Sequence, residues 1–215
     1  MPGWDKSFST FRTHLFDALK GELPGVEAQF KLVPPGRAKP DFELIKKEKN
    51  PRRAGVLALF FPVKEEPHLV LMKRNEYPGV HSGQISLPGG QWEPHDPDLV
   101  ATALRETHEE IGVSQDLIEV IGVLSEVYIP PSNFLVQPVI GLASRRPNFV
   151  PEQSEVQHLL EIPFRAFLDT NNLKTTEVNA RGNRYVVPAY TIDNEIIWGA
   201  TAMMIAELTH LFRAT

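Results

Sequence analysis

Between Gln91 and Val113 the chain carries six carboxylates, Glu93, Asp96, Asp98, Glu106, Glu109 and Glu110, against a single arginine. That segment alone has a net charge of −5, equal to that of the whole 215-residue chain. Its ends are punctuated: Asp96 suits an N-cap, Pro97 the first helical position and Gly112 a left-handed C-terminal cap. The spacing therefore predicts a helix over 97–111. On it Glu106 and Glu110 lie one turn apart, roughly 6 Å along the axis, with Glu109 on the flank and Arg105 four residues before Glu109. Val100, Ala103, Leu104 and Ile111 form the opposite, apolar stripe, so the fold must press this helix on a core and leave its acids to water or to a cation. Like charges at this spacing cost an isolated helix roughly 0.2–0.5 kcal/mol per pair. Two readings stand: a solvated acidic face, the common fate of charge runs, or a site for Mg²⁺ or Mn²⁺, which take carboxylate and water oxygens.

Composition narrows the chemistry. There is no cysteine, so disulfides and thiolate metal sites are excluded and any metal must use oxygen or imidazole. Lys plus Arg number 22 against 27 Asp plus Glu, which gives no general surplus for a nucleic-acid backbone and leaves only a local basic pocket open. The longest apolar stretch, Ala54 to Val63, is too short to span a bilayer, and Met1–Lys6 lacks the apolar run of a secretory signal. Arg213-Ala214-Thr215 is not a peroxisomal address. The expectation is a soluble, cytoplasmic protein with neither nucleic acid nor membrane as partner.

Phe8, Phe11, Leu15, Phe16 and Leu19 recur at helical spacing before Gly21, so the chain opens on an amphipathic helix. It could pack on its own domain or across a homodimer. Pro34 to Pro40, with three prolines and a glycine, reads as a linker. This divides the chain into an extension, residues 1–40, and a catalytic-size domain, residues 41–215. Ala54–Pro62 and His68–Lys73 flank a turn at 64–67 and read as a hairpin. Further strands are expected at 85–87, 118–127, 134–142, 185–190 and 195–198, and helices at 98–111 and 201–212. Strands interleaved with few helices suggest a mixed sheet with helices on its faces.

The acidic segment follows Gly83-Gln84-Ile85-Ser86-Leu87-Pro88-Gly89-Gly90, whose glycine pair permits close backbone approach and carbonyl coordination. Gly90 followed by Arg105-Glu106-Thr107-His108-Glu109-Glu110-Ile111-Gly112-Val113 resembles the Nudix box, in which a Gly and a Glu precede Arg-Glu-U-x-Glu-Glu-x-Gly-U with U aliphatic. Thr107 replaces the aliphatic residue. Arg105 lies one residue farther from Gly90 than in the standard box, and Asp96 stands at the place of the first Glu. This expansion, together with Leu71-Met72-Lys73-Arg74-Asn75 and His81 to Gly90, is similar to the coenzyme A pyrophosphatase branch, from which Asn75, Pro78 and Leu87 depart.

The resemblance implies a Nudix fold: an α/β (α+β) protein, an α/β/α sandwich around a mixed β-sheet with a catalytic loop-helix-loop. It implies Mg²⁺ or Mn²⁺ on Glu106 and Glu110, with Glu109 direct or through water and the Gly90 carbonyl as a further ligand. Arg105 would orient these carboxylates. Glu155 is the first candidate for the water-activating base, ahead of Glu152 and Glu109; its alternative is an ordinary acid at a helix start. Lys73, Arg74 and His81 are candidates for substrate phosphates, and Trp92, Tyr128 and Phe134 for stacking on adenine or, equally, for the core. The activity implied is hydrolysis of a pyrophosphate bond in a nucleoside diphosphate derivative, foremost coenzyme A or acyl-CoA, to 3′,5′-ADP and (acyl-)phosphopantetheine. ADP-ribose, dinucleotides and nucleoside triphosphates are alternatives, and a nucleotide-sensing module without turnover is an alternative of another class.

Overall fold

A computed structural model describes residues 7–34, 36–76, 79, 81–180 and 182–213. Pro35 of the expected linker, Pro78 of the upstream signature and the two terminal segments read above, 1–6 and 214–215, lie outside them. The helices are α1 (Phe8–Ala18), α2 (Gly25–Gln29), α3 (Phe42–Lys49), α4 (Leu99–Ile111), α5 (Arg165–Leu168) and α6 (Gly199–Leu211).

The sheet is organised around β1 (Arg52–Val63), where every residue from Leu57 to Phe61 is fully buried. Such a run, apolar on both faces, belongs to a strand covered from both sides. A two-residue turn at Lys64 and Glu65, both at positive φ, returns the chain as β2 (Glu66–Arg74). β1 also pairs in parallel with β7 (Phe134–Leu142), which makes the sheet mixed. Among the described residues the sheet has eight strands. β3 (Ile85–Ser86), β2, β1, β7 and β5 (Glu119–Val123) lie in that order, with β4 (Gly89–Gln91) on β1, β6 (Val127–Ile129) on β7 and β8 (Val156–Pro163) on β2. A second, antiparallel sheet holds β9 (Leu173–Ala180), β10 (Asn183–Ile192) and β11 (Glu195–Ile197).

Alternation along β1 sends Leu57, Leu59 and Phe61 to one face, where they meet Val70, Met72 and the Ala103 and Ile111 stripe of α4. Ala58 and Phe60 face the other way, toward α1 and α6. This is the α/β/α sandwich. Gly55 lets α4 press on β1, because a Cβ there would lie 2.2 Å from the Leu99 carbonyl oxygen. The opening helix packs on its own chain: Phe11 and Leu15 are fully buried, and the Phe11 ring lies 4.8 Å from that of Phe60 and 5.0 Å from that of Phe212. Phe11→Ala is therefore expected to cost about 3–5 kcal/mol in urea unfolding, where an exposed appendage would cost nothing measurable.

The strand expected at 118–127 is two strands. After Leu124, whose N–H still donates to the Pro138 carbonyl of β7, the chain steps out, Ser125 donates its N–H to the buried Glu207 of α6, and ladder pairing with β7 resumes at Val127. The demand of a buried carboxylate for donors outweighs the β-forming residues on either side of Ser125.

Candidate active site

Helix α4 starts at Leu99, two residues later than expected. The cap is Asp98, whose Oδ1 accepts the Ala101 N–H at 2.8 Å, and not Asp96. Asp96 is turned inward because Arg105 claims it with a two-pronged fork: Nε donates to Oδ1 at 3.0 Å and Nη2 to Oδ2 at 2.9 Å. Thr102 Oγ1 and the Glu93 N–H complete its shell. Arg105 holds the buried Asp96 carboxyl well below the usual carboxylate range, and Asp96 in turn raises the guanidinium above its ordinary value. Arg105 also donates through Nη1 to Glu106 at 2.8 Å and Glu109 at 3.1 Å, and through Nη2 to the Gln91 carbonyl. Thr107, at the place of an aliphatic residue, is fully buried and satisfies its hydroxyl on the Ala103 carbonyl.

The glycine pair sets how closely β4 approaches these acids. Gly89 lies at φ +148, where a Cβ would strike the Gly55 carbonyl at 2.4 Å. A Cβ on Gly90 would fall within 2.6 Å of the Glu106 carboxylate, so only glycine permits this approach. The Gly89 N–H donates to Glu110 Oε2 at 2.7 Å. Glu110 is only 2% exposed, and its other oxygen has no hydrogen bond although Arg74 Nη1 lies 3.3 Å away. Burial pushes Glu110 up to about 8 against the pull of Arg74, and burial likewise raises Glu106 against Arg105.

Glu155 reaches the same place from another element. Its carboxylate lies 4.0 Å from Arg74 Nη2, and its charge adds to the upward push on both Glu106 and Glu110. It does not open a helix: residues 153–155 form a turn and Val156 begins β8. The loop is fastened to the helix end by the Val150 and Glu152 N–H groups, which donate to the Ile111 and Glu110 carbonyls. It is fastened to the end of β2 by the Asn75 N–H, which donates to the Glu155 carbonyl.

The structure brings Arg74, Gly90, Asp96, Arg105, Glu106, Glu109, Glu110 and Glu155 together. It does not bring Lys73, which a strand's alternation aims at the opposite face; its Nζ pairs with Glu195 at 3.1 Å, beside His158. His81 bonds Gln84 and the hydroxyl of Ser132 at the rim. Phe134 lies under the guanidinium of Arg52, Tyr128 donates to Asn133, and Trp92 is partly exposed with its Nε1–H on the Asp96 carbonyl. Asp96 as the partner of Arg105 is what the sequence reading missed. The signal was its place in the box, set against a better-advertised role as a cap.

Among the described residues no three acidic or histidine side chains already converge as a metal cage, since Arg105 Nη1 sits between Glu106 and Glu109. The donor set nonetheless fits a hard divalent cation. A buried carboxylate with one oxygen lacking any hydrogen bond and a partly buried one lie against a glycine backbone, and neither sulfur nor imidazole takes part.

A family model of the NUDIX domain matches residues 51–181, more than half of the chain. The chain belongs to the Nudix family. It is 33% identical over 159 residues to the uncharacterized Nudix hydrolase NudL of Yersinia pestis and to that of Yersinia pseudotuberculosis, covering 73% of this chain and 78% of each relative. The crystal structure of the Nudix hydrolase RenU from M. smegmatis shares the fold at TM-score 0.54 and 18% identity, over 76% of this chain and 86% of that one. The MutT protein of Methanosarcina mazei does so at TM-score 0.51 and 14% identity, over 76% and 96%. As a Nudix hydrolase, the chain is a pyrophosphohydrolase, of a family that works with divalent metal ions. No helix among the described residues is long and apolar enough to cross a membrane.

The raised Glu110 has a thermodynamic consequence in this Nudix site. A carboxyl whose folded value lies near 8, above its ordinary 4.5, favours the fold at low pH and loses that contribution as pH rises through 8. In chelator, Glu110→Gln is thus expected to melt above the wild type at pH 8.5, by about 3–6 °C for each 1–2 kcal/mol relieved. The advantage should vanish near pH 4. Scanning calorimetry at the two pH values checks this, and equal melting temperatures at pH 8.5 would show that Glu110 is not strained as an anion.

Proposed function

We propose that this Nudix hydrolase cleaves the pyrophosphate bond of coenzyme A or acyl-CoA, yielding 3′,5′-ADP and (acyl-)phosphopantetheine. The observation that carries this reading is how the one-residue expansion is absorbed. With one residue more between Gly90 and Arg105 than the standard box, Asp96 forks onto Arg105 and Gly90 lies against Glu106. The expanded box resembles that of the coenzyme A pyrophosphatase branch, and the similar stretches 71–75 and 81–90 that precede it support this reading.

In this reading Glu106 and Glu110 are the principal ligands of Mg²⁺ or Mn²⁺, with Glu109 and the Gly90 carbonyl as further donors. A cation there would neutralise charge on the diphosphate oxygens. Arg105, fixed by Asp96, sets the directions of Glu106 and Glu109. Glu155 takes the proton of the attacking water on its carboxylate, standing at the open side of the site next to Arg74. Arg74 supplies the nearest positive charge to a substrate phosphate, and His81 offers a contact at the rim. Lys73, neutralised by Glu195, takes no part.

Incubation with coenzyme A, ADP-ribose, dinucleoside polyphosphates and nucleoside triphosphates, each with Mg²⁺ or Mn²⁺ and with products resolved chromatographically, tests the proposal. The highest kcat/KM is expected for coenzyme A. Turnover of ADP-ribose without turnover of coenzyme A would overturn the substrate assignment, and cleavage of no compound in the panel would favour the sensing module.

A further inference from the structure

Three buried side-chain oxygens lack a hydrogen bond among the described residues: Glu66 Oε1, Ser86 Oγ and Glu110 Oε1. Two of them have a cation beside them. Arg165 Nε lies 3.0 Å from Glu66 Oε1, and Arg74 Nη1 lies 3.3 Å from Glu110 Oε1. Ser86 is left over, and its strand is not loose. β1 and β2 pair with each other only between residues 60–63 and 66–69; beyond that β2 turns to β3 and β1 to β4, so the segment 85–91 is inserted between them. Ser86 is paired with Met72, the Thr201 hydroxyl donates to the Ile85 carbonyl at 3.0 Å, and the Leu57 N–H donates to the Pro88 carbonyl at 2.8 Å.

Alternation decides which way Ser86 faces. Ile85 and Leu87 both belong to the core on the α1 and α6 side, so Ser86 between them faces α4, as does its cross-strand partner Met72. Both strands that flank Ser86 lead from there to Glu110. Two residues along β2, on the same face, Arg74 reaches Glu110 Oε1; three residues along the inserted segment, the Gly89 N–H holds Glu110 Oε2. The unpartnered hydroxyl and the unpartnered carboxylate oxygen thus lie on one sheet face, under one helix. On that helix Thr102 and Thr107 donate to carbonyls one turn back, a local acceptor that an extended strand does not offer Ser86. A hydroxyl buried without a partner opposes folding, so its place in the site calls for a ligand that completes it.

We propose that Ser86 is a positioning residue of the metal site, whose hydroxyl holds a hydration water of the divalent cation bound at Glu110. The proposal rests on the reading of Glu106 and Glu110 as ligands and adds to it a residue that touches the cation only through water. Mg²⁺ in particular keeps several of its waters when carboxylates bind it, and those waters need acceptors. A serine oxygen accepts from such a water without adding a further negative charge beside Glu106 and Glu110, and its own hydrogen remains free to donate.

Removing the hydroxyl should act in opposite directions with and without metal. In chelator, Ser86→Ala is expected to melt at or above the wild type, by up to about 2–4 °C in scanning calorimetry, because a buried unsatisfied group is gone. In calorimetric titration of the full chain with Mn²⁺, without substrate, it should bind the ion about three- to tenfold more weakly. Ser86→Thr keeps the hydroxyl and should stay within about twofold of the wild type. Melting of Ser86→Ala well below the wild type in chelator would make the hydroxyl a support of the fold, and equal losses of Mn²⁺ affinity in both variants would assign the effect to packing; either overturns the proposal. If the wild type takes up Mn²⁺ and Ser86→Ala takes it up equally, Ser86 alone falls. If the wild type takes up none, the reading of Glu106 and Glu110 as ligands falls, and the role of Ser86 with it.

Discussion

Glu106→Gln is expected to lower turnover of a diphosphate substrate by about 10³-fold at saturating Mg²⁺, with the fold intact. Glu106 is the acid that Gly90 was cleared to admit, and its carboxylate lies against the β4 backbone where a side chain of any size would displace it. A metal held there contributes several kcal/mol to stabilising charge in the transition state, and about 4 kcal/mol corresponds to that loss of rate. The glutamine keeps the volume and can still accept from Arg105 Nη1. A second reading separates metal binding from catalysis. Mn²⁺ should raise the melting temperature of the wild type by mass action and leave that of the variant nearly unmoved. Full activity of the variant, or an equal thermal shift, would remove Glu106 from the metal site.

The parts of this site that could be read from sequence are those whose signal is local. A glycine pair, a helix with a glycine stop and a run of acids at helical spacing all lie within one stretch of chain, and their positions follow from backbone geometry alone. The strands β1 and β7 were legible for the same reason, since a strand buried on both faces shows as an apolar run. What escaped depends on contacts between distant segments. β9 is mostly exposed and polar, with Lys174, Thr175, Glu177 and Asn179 facing solvent, and is a strand only because β10 pairs with it. α3 was read as the start of a domain and not as a helix, because a segment with no buried residue shows no apolar face. Lys73 and Arg74 looked equivalent as neighbours; alternation across β2 gave one to Glu195 and the other to Glu110.

Asp96→Ala should be the most damaging single change outside the proposed metal ligands. Two terms add. Arg105 is left nearly buried without its fork partner, and breaking such a pair from one side costs about 3–5 kcal/mol in stability. The Glu93 N–H loses its acceptor as well, and Thr102 Oγ1 keeps only the Asp98 carbonyl. The catalytic loss is separate. Once released from Asp96, the guanidinium is free to rotate toward Glu106 and Glu109, which it already touches, and to neutralise the charge that should face a divalent ion. Asp96→Glu tests this directly, because it keeps the charge at the place where the standard box carries glutamate and should recover much of the stability. The expected pattern for Asp96→Ala is a urea midpoint lowered in proportion to the lost pair, together with a raised half-saturating Mg²⁺ concentration for turnover. A loss of stability with metal dependence unchanged would make the Asp96–Arg105 fork a structural pair only, and the aim of Glu106 would then have to come from β4 alone.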